Sequence, residues 1–189
     1  MSQIISKSGL AIVLSALEGF SGPKVSQEQY LMDSEIGASV LWNAYLLGDI
    51  GERDIADFGC GTGILGIGAL LLGAKSVLFV DSDENALEIA KNNISKVKSE
   101  GYNVGKTQFI CRDIGELNKK VDVVVQNPPF GTKIRHNDAF FLEKALETAP
   151  VVYSFHKSET KSFLERFSAK KNVRITHVWD FKFPLKATF

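Results

Sequence analysis

From residue 54 onward, short runs of branched apolar residues alternate with longer stretches of helical spacing, and this alternation constrains the fold more than any other feature. Residues 54–58, 76–80, 107–112, 121–126 and 151–155 read as strands, and residues 63–72, 82–98, 138–148 and 158–169 read as helices. Repeated βα units return to one sheet through right-handed crossovers. The expected fold is therefore α/β, a doubly wound, mainly parallel sheet with helices on both faces. The valine run at 123–125 suits a strand buried on both sides. Residues 173–183, with Trp179, Phe181 and Phe183 at alternate positions, are expected to add a final strand.

Two helices are expected ahead of this core. Leu10, Val13, Leu14 and Leu17 share one face of the first, and Asp33 or Ser34 caps the second, whose apolar face holds Ile36, Val40, Leu41, Ala44 and Tyr45. The 189 residues suit a single domain, with 1–50 supplying N-terminal helices and a covering loop and 51–189 the core. The longest apolar run, 64–74, has 11 residues and three glycines, short of the roughly 20 that span a bilayer. A single positive charge at Lys7, with no small-x-small site after the apolar stretch, does not make a secretion signal. Cys60 and Cys111 lie in segments that read as buried and share no metal-binding spacing, so no metal is expected and a reducing, cytoplasmic setting is. Net charge is zero, but residues 1–100 hold 7 Lys+Arg against 13 Asp+Glu while residues 101–189 hold 15 against 9. A basic second half is compatible with one face meeting a polyanion and equally with scattered solvated charge.

In open sheets of this kind ligands bind beyond the carboxyl ends of the strands. The first strand runs into Asp57-Phe58-Gly59-Cys60-Gly61-Thr62-Gly63-Ile64, where three glycines let the backbone turn sharply and a ligand approach it. The second strand leads to Asp81, placed to accept hydrogen bonds from ribose hydroxyls. Gly61, Gly63 and Gly66 also match the dinucleotide fingerprint G-x-G-x-x-G, which keeps a dehydrogenase's dinucleotide open as a ligand. Asp57 favours S-adenosylmethionine instead, since a carboxylate there engages an amino group and repels a pyrophosphate. Asp113, after the third strand, lies where an adenine amine would be read.

The fourth strand ends in Asn127-Pro128-Pro129-Phe130, the most specific feature of the chain. Pro128 keeps Asn127 out of the helical region and the two prolines stiffen the turn. The Asn127 side-chain oxygen and the Pro128 carbonyl can then act as two acceptors aimed at one NH2 group. An exocyclic amine is a poor nucleophile because its lone pair is delocalised into the ring. Accepting both hydrogens favours a pyramidal nitrogen with that lone pair available. Phe130 can stack on the base and hold it in line.

The glycine loop, Asn127-Pro128-Pro129-Phe130-Gly131-Thr132-Lys133 and the stretch Val151-Val152-Tyr153-Ser154-Phe155-His156-Lys157 together resemble the methyltransferase-like protein five family and its archaeal members. The resemblance covers nearly the whole chain and implies a Rossmann-like class I methyltransferase. By that resemblance the enzyme would methylate N6 of an adenosine in small-subunit ribosomal RNA. Gln29, Met32, Gly59, Thr62, Ile64, Asp81 and Asp113 match cofactor-contacting positions, and residues 127–130 match the catalytic motif. Met32 stands where many relatives have threonine, and relatives continue past Phe189 through a basic stretch into one more strand. Relatives also pair with a small zinc-binding activator subunit, which the apolar third strand, expected at a sheet edge, would receive. The competing readings are methylation of a protein glutamine amide, methylation of DNA adenine, and a cofactor-binding scaffold without turnover.

Overall fold

The computed structural model describes residues 3–20, 32–129 and 137–182, which divide into two compact units, Met1–Phe155 and His156–Phe189. In the first unit α1 (Lys7–Ser15) and α2 (Ser34–Leu46) precede β1 (Asp54–Phe58), α3 (Ile64–Leu71), β2 (Ser76–Asp81) and α4 (Glu84–Ser99). β3 (Lys106–Cys111), β4 (Val123–Gln126), α5 (Asn137–Thr148) and β5 (Val151–Ser154) follow. All neighbouring strands are parallel, in the order β3-β2-β1-β4-β5. This is the doubly wound sheet expected from the alternation.

The period-two alternation of β1 divides its side chains between two helical layers. Ala56 and Phe58 join Val80, Val124, Ala145 and Ala149 in a core beneath α5. Asp57, pointing the other way, meets α3 through the amide of Gly66. Every residue of α3 is buried, because that helix lies between the sheet and α1 and α2. Gly68 makes this possible: a Cβ there would sit 2.4 Å from Cδ1 of Leu41 on α2.

Most boundaries agree with the sequence to within two residues, and the differences have local causes. β4 starts at Val123 because Val121 donates its amide to the Thr148 carbonyl and Asp122 donates to Asp54, outside the ladder. Asp33 caps α2 as expected, accepting from the amides of Glu35 and Ile36 at 3.0 and 3.1 Å. Tyr45, expected on the buried face of that helix, is exposed, as the helix's last turn projects beyond the core. Asp83 caps α4 by accepting from the amide of Asn85, and Glu88 pairs with Lys91 at 3.1 Å. Cys60 is buried, but Cys111 is exposed, because it closes a strand at the sheet edge.

The second unit starts with a 3-10 turn, Ser158–Thr160, followed by α6 (Lys161–Lys171), where the sequence suggested one helix. Asn172 ends α6 in the left-handed region at φ 53°, a conformation asparagine tolerates. Residues 173–182 form no strand among the described residues, and Ile175 and Val178 are exposed. Alternating apolar residues report a capacity for pairing; they do not supply the partner strand.

Candidate active site

Sheet register brings the expected residues to one edge. Phe58 lies opposite Val80 of β2 on one side and Gln126 of β4 on the other. Gly59, Asp81 and Asn127 therefore leave the sheet side by side at its carboxyl end. Cys111 pairs with Asp81, which sets Asp113 two residues beyond the end of the neighbouring strand.

The glycine loop needs its glycines for backbone conformation. Gly59, Gly61 and Gly63 have φ of 61°, 52° and 86°, in the left-handed region where a side chain is strained. A Cβ would also collide: at Gly61 it would lie 3.0 Å from the Phe20 ring, and at Gly59 3.2 Å from Phe141 of α5. Neither aromatic neighbour was singled out from the sequence. Gly66, which completes the literal dinucleotide fingerprint, serves packing: a Cβ there would sit 2.4 Å from Phe79.

Asp57 and Asp81 hold this loop in place. Asp57, 1% exposed, accepts a hydrogen bond from Gly66 N at 2.7 Å. Burial pushes its carboxyl up to about 8, against the opposing pull of the Gly66 amide and with the aid of the Asp81 charge. Asp81 accepts from Gly61 N at 2.8 Å through one oxygen and from Asp83 N at 2.9 Å through the other. Burial raises its carboxyl as well, with these amides opposing. Burial, then the Asp57 and Asp81 charges, raise the Cys60 thiol, so Cys60 stays protonated as a small core residue.

The remaining site residues separate into groups. Thr62 and Ile64 are buried at the start of α3, and Met32 is buried with its Cγ 3.4 Å from where a Cβ on Gly37 would be. Asp113 is exposed and caps the turn Ile114–Glu116 by accepting from Gly115 N at 2.8 Å. Gln29 and Phe130 lie outside the described residues. Pro128 is buried, and Oδ1 of Asn127 is a buried acceptor with no hydrogen-bond partner among the described residues. That orphan oxygen stands at the end of β4, next to the strand that carries the glycine loop.

This donor and acceptor set fits S-adenosylmethionine. An ammonium would relieve the buried Asp57 carboxyl, and Asp81 retains lone pairs for hydroxyls. A pyrophosphate offers Asp57, 1% exposed, no positive group, so S-adenosylmethionine fits better although the dinucleotide glycine pattern is present. Sequence reasoning missed Asn93, whose signal was legible: a polar residue on the stripe Ala86, Leu87, Ala90, Ile94, Val97 that α4 buries.

The sheet and its glycine loop define a class I, Rossmann-like methyltransferase whose cofactor is S-adenosylmethionine. Residues 44–128 match a family model described as ribosomal protein L11 methyltransferase (PrmA). Over more of its length the chain is similar to the rRNA N(6)-adenosine-methyltransferase METTL5 of Danio rerio, at 33% identity covering 93% of this chain and 86% of that one. An uncharacterized protein of Methanocaldococcus jannaschii is 34% identical, covering 98% of this chain and 87% of its own. Among solved structures, one described as an RNA methyltransferase of Pyrococcus horikoshii superposes with a TM-score of 0.83 at 44% identity, covering 90% of this chain and 84% of that one. The chain belongs to the METTL5 family of rRNA N6-adenosine methyltransferases, and it is a methyltransferase.

Proposed function

We propose that this enzyme transfers a methyl group from S-adenosylmethionine to the exocyclic N6 amine of an adenosine in RNA, in the small-subunit ribosomal RNA. The single observation that carries the reading is the orphan Oδ1 of Asn127, a buried acceptor at the carboxyl end of β4. A buried polar atom without a partner costs about 1–3 kcal/mol, so a donor is expected to reach it. The two hydrogens of an amine suit Asn127 Oδ1 together with the Pro128 carbonyl. Held between them, the nitrogen becomes pyramidal and presents its lone pair, which needs no prior deprotonation. Phe130 stacks on the base and Asp113 reads the cofactor's adenine amine in this proposal. In the same proposal Asp57 takes the amino group, Asp81 the ribose hydroxyls, and Gln29, Met32, Thr62 and Ile64 are assigned to cofactor binding with Gly59, Gly61 and Gly63. S-adenosylmethionine, when bound, supplies a methyl group activated by its sulfonium.

The test is methyl transfer to total RNA from cells of the same source, read by nucleoside mass spectrometry. N6-methyladenosine is the expected product. Methylation of a protein fraction with none in RNA would overturn this reading in favour of a protein substrate, such as a glutamine amide.

We further propose that the enzyme works in the cytoplasm with a small zinc-binding subunit paired along β3. β3 is a sheet edge whose Phe109 and Ile110 are only half-buried. Beside it runs a cleft of about 490 Å3 lined by Phe109, Ile110, Arg112, Glu116, Leu117 and Lys119. Strand addition there would supply backbone pairing and apolar cover. Phe109→Lys or Ile110→Lys is expected to abolish co-purification with such a subunit while cofactor binding persists. A complex that survives both substitutions rules out this edge. Among the described residues no helix is long and apolar enough to cross a membrane.

A further inference from the structure

α4 buries a stripe made of Ala86, Leu87, Ala90, Ile94 and Val97, and in the middle of it stands Asn93, 1% exposed. A leucine would continue the stripe without the cost of burying an amide. Asn93 instead uses both of its donors and one acceptor position on two distant stretches of backbone. Its Oδ1 accepts from Glu18 N at 2.8 Å, and its Nδ2 donates to the Glu18 carbonyl and the Thr62 carbonyl, both at 3.0 Å.

The two stretches are those that meet at the glycine loop. Fixing the Thr62 carbonyl fixes the Thr62–Gly63 peptide, whose other side donates from Gly63 N to the Cys60 carbonyl at 2.8 Å. Thr62 is thus held in one orientation between two left-handed glycines, which alone would leave the loop several choices. Fixing Glu18 on both its amide and its carbonyl sets the direction of the chain toward Phe20. The Phe20 ring then lies against Gly61, 3.0 Å from where a Cβ would be. Lys96, one turn further along α4, adds a bond to the Ala16 carbonyl.

We propose that Asn93 is a positioning residue for the cofactor: its amide locks the glycine loop to the segment 16–20, and affinity for S-adenosylmethionine depends on this lock although Asn93 does not face the ligand. The inference rests on the glycine loop being the cofactor site. A purely structural Asn93 would affect stability; a positioning Asn93 affects cofactor affinity at temperatures where the protein is fully folded.

The experiment is calorimetric titration with S-adenosylmethionine, well below the melting temperature, of the wild type, Asn93→Ala and Ile94→Ala. Ile94 is buried on the same helix and touches neither stretch through a hydrogen bond, so Ile94→Ala controls for lost stability. Asn93→Ala is expected to raise Kd about tenfold or more, the scale of one lost buried hydrogen bond, and KM for the cofactor in parallel. Turnover at saturating cofactor is expected to stay within about threefold, and Ile94→Ala is expected to keep the wild-type Kd. If Asn93→Ala does not fold, Asn93→Leu carries the same test, since it fills the volume and continues the apolar stripe but loses all three bonds. An Asn93 variant that binds like the wild type overturns the inference while leaving the cofactor site standing, as does an equal loss in Ile94→Ala. A wild type that does not bind S-adenosylmethionine overturns the site and the inference together.

Discussion

Asp57→Asn is expected to make the ligand-free protein more stable at alkaline pH and a poorer binder of its cofactor. The Asp57 carboxyl is buried and titrates near 8 in the folded chain, against an ordinary value of 3.8. Because the folded state holds its proton more tightly, raising pH from about 4 to about 8 costs the wild type stability, and above 8 the cost is constant. The gap between the two values sets a ceiling of about 6 kcal/mol on that cost. Asparagine keeps an oxygen for the Gly66 amide, which donates at 2.7 Å, but brings two N–H groups that need partners. That takes back about 1–3 kcal/mol. The variant should therefore match or trail the wild type near pH 4, overtake it between roughly pH 4.5 and 6, and lead by roughly 3–5 kcal/mol at pH 8.5. Urea unfolding of both proteins across that range measures the difference directly. If Asp57 holds the cofactor's ammonium, binding needs the ionised carboxylate, so wild-type affinity should rise with pH toward 8, as expected of a carboxyl pushed up to about 8, and fall above it as the ammonium loses its own proton. Affinity of Asp57→Asn should be lower and free of this rise. A variant less stable than the wild type at pH 8.5 would refute the burial argument. An affinity that does not change between pH 6 and 8 would remove Asp57 from the amino group.

Asp81→Ala is expected to weaken S-adenosylmethionine binding by about 1–3 kcal/mol, as two backbone anchors and a ribose acceptor go together; unchanged affinity in calorimetry removes Asp81 from the site. Gly66→Ala is expected to lower stability by about 1–3 kcal/mol through overpacking, since its Cβ would lie 2.4 Å from Phe79 and 3.0 Å from Asp57; a thermal melt that matches the wild type would mean the helix can move away at no cost.

The parts of this protein that were legible in its sequence are those governed by local periodicity. β1 is found at the residues read for it, because Asp54–Phe58 is bounded by turn residues and filled with apolar ones. The strand-end positions of Asp81 and Asn127 followed from the same periods. What the sequence could not show was which partner each segment finds. Residues 173–182 have strand composition and no strand pairing among the described residues. Cys111 looked buried because its strand is apolar, but whether a strand is central or at the edge is a property of sheet order. The aromatic rings over Gly59 and Gly61 come from residues 141 and 20, far away in the chain, and no local pattern announces them. Asn93 is intermediate, since its anomaly on an apolar stripe is visible while its partners 31 and 75 residues away are not.

Asn127 separates function from stability most sharply. A side chain retained for the fold would have its polar atoms paired, and here Oδ1 is buried with no partner among the described residues. Removing it by Asn127→Ala deletes an unsatisfied acceptor, so the ligand-free variant should be as stable as the wild type or up to about 2 kcal/mol more stable. Cofactor affinity should stay within a few-fold, because the anchors proposed for the cofactor, Asp57 and Asp81, are on other strands. Turnover should nonetheless fall roughly 100-fold or more, the scale of one lost preorganised dipole at a reacting amine. The combination discriminates where activity alone does not, since a destabilised loop would also lose activity. Loss of more than about 1 kcal/mol of stability in the variant would mean that Oδ1 has a structural partner. Undiminished turnover would sink amine activation by Asn127.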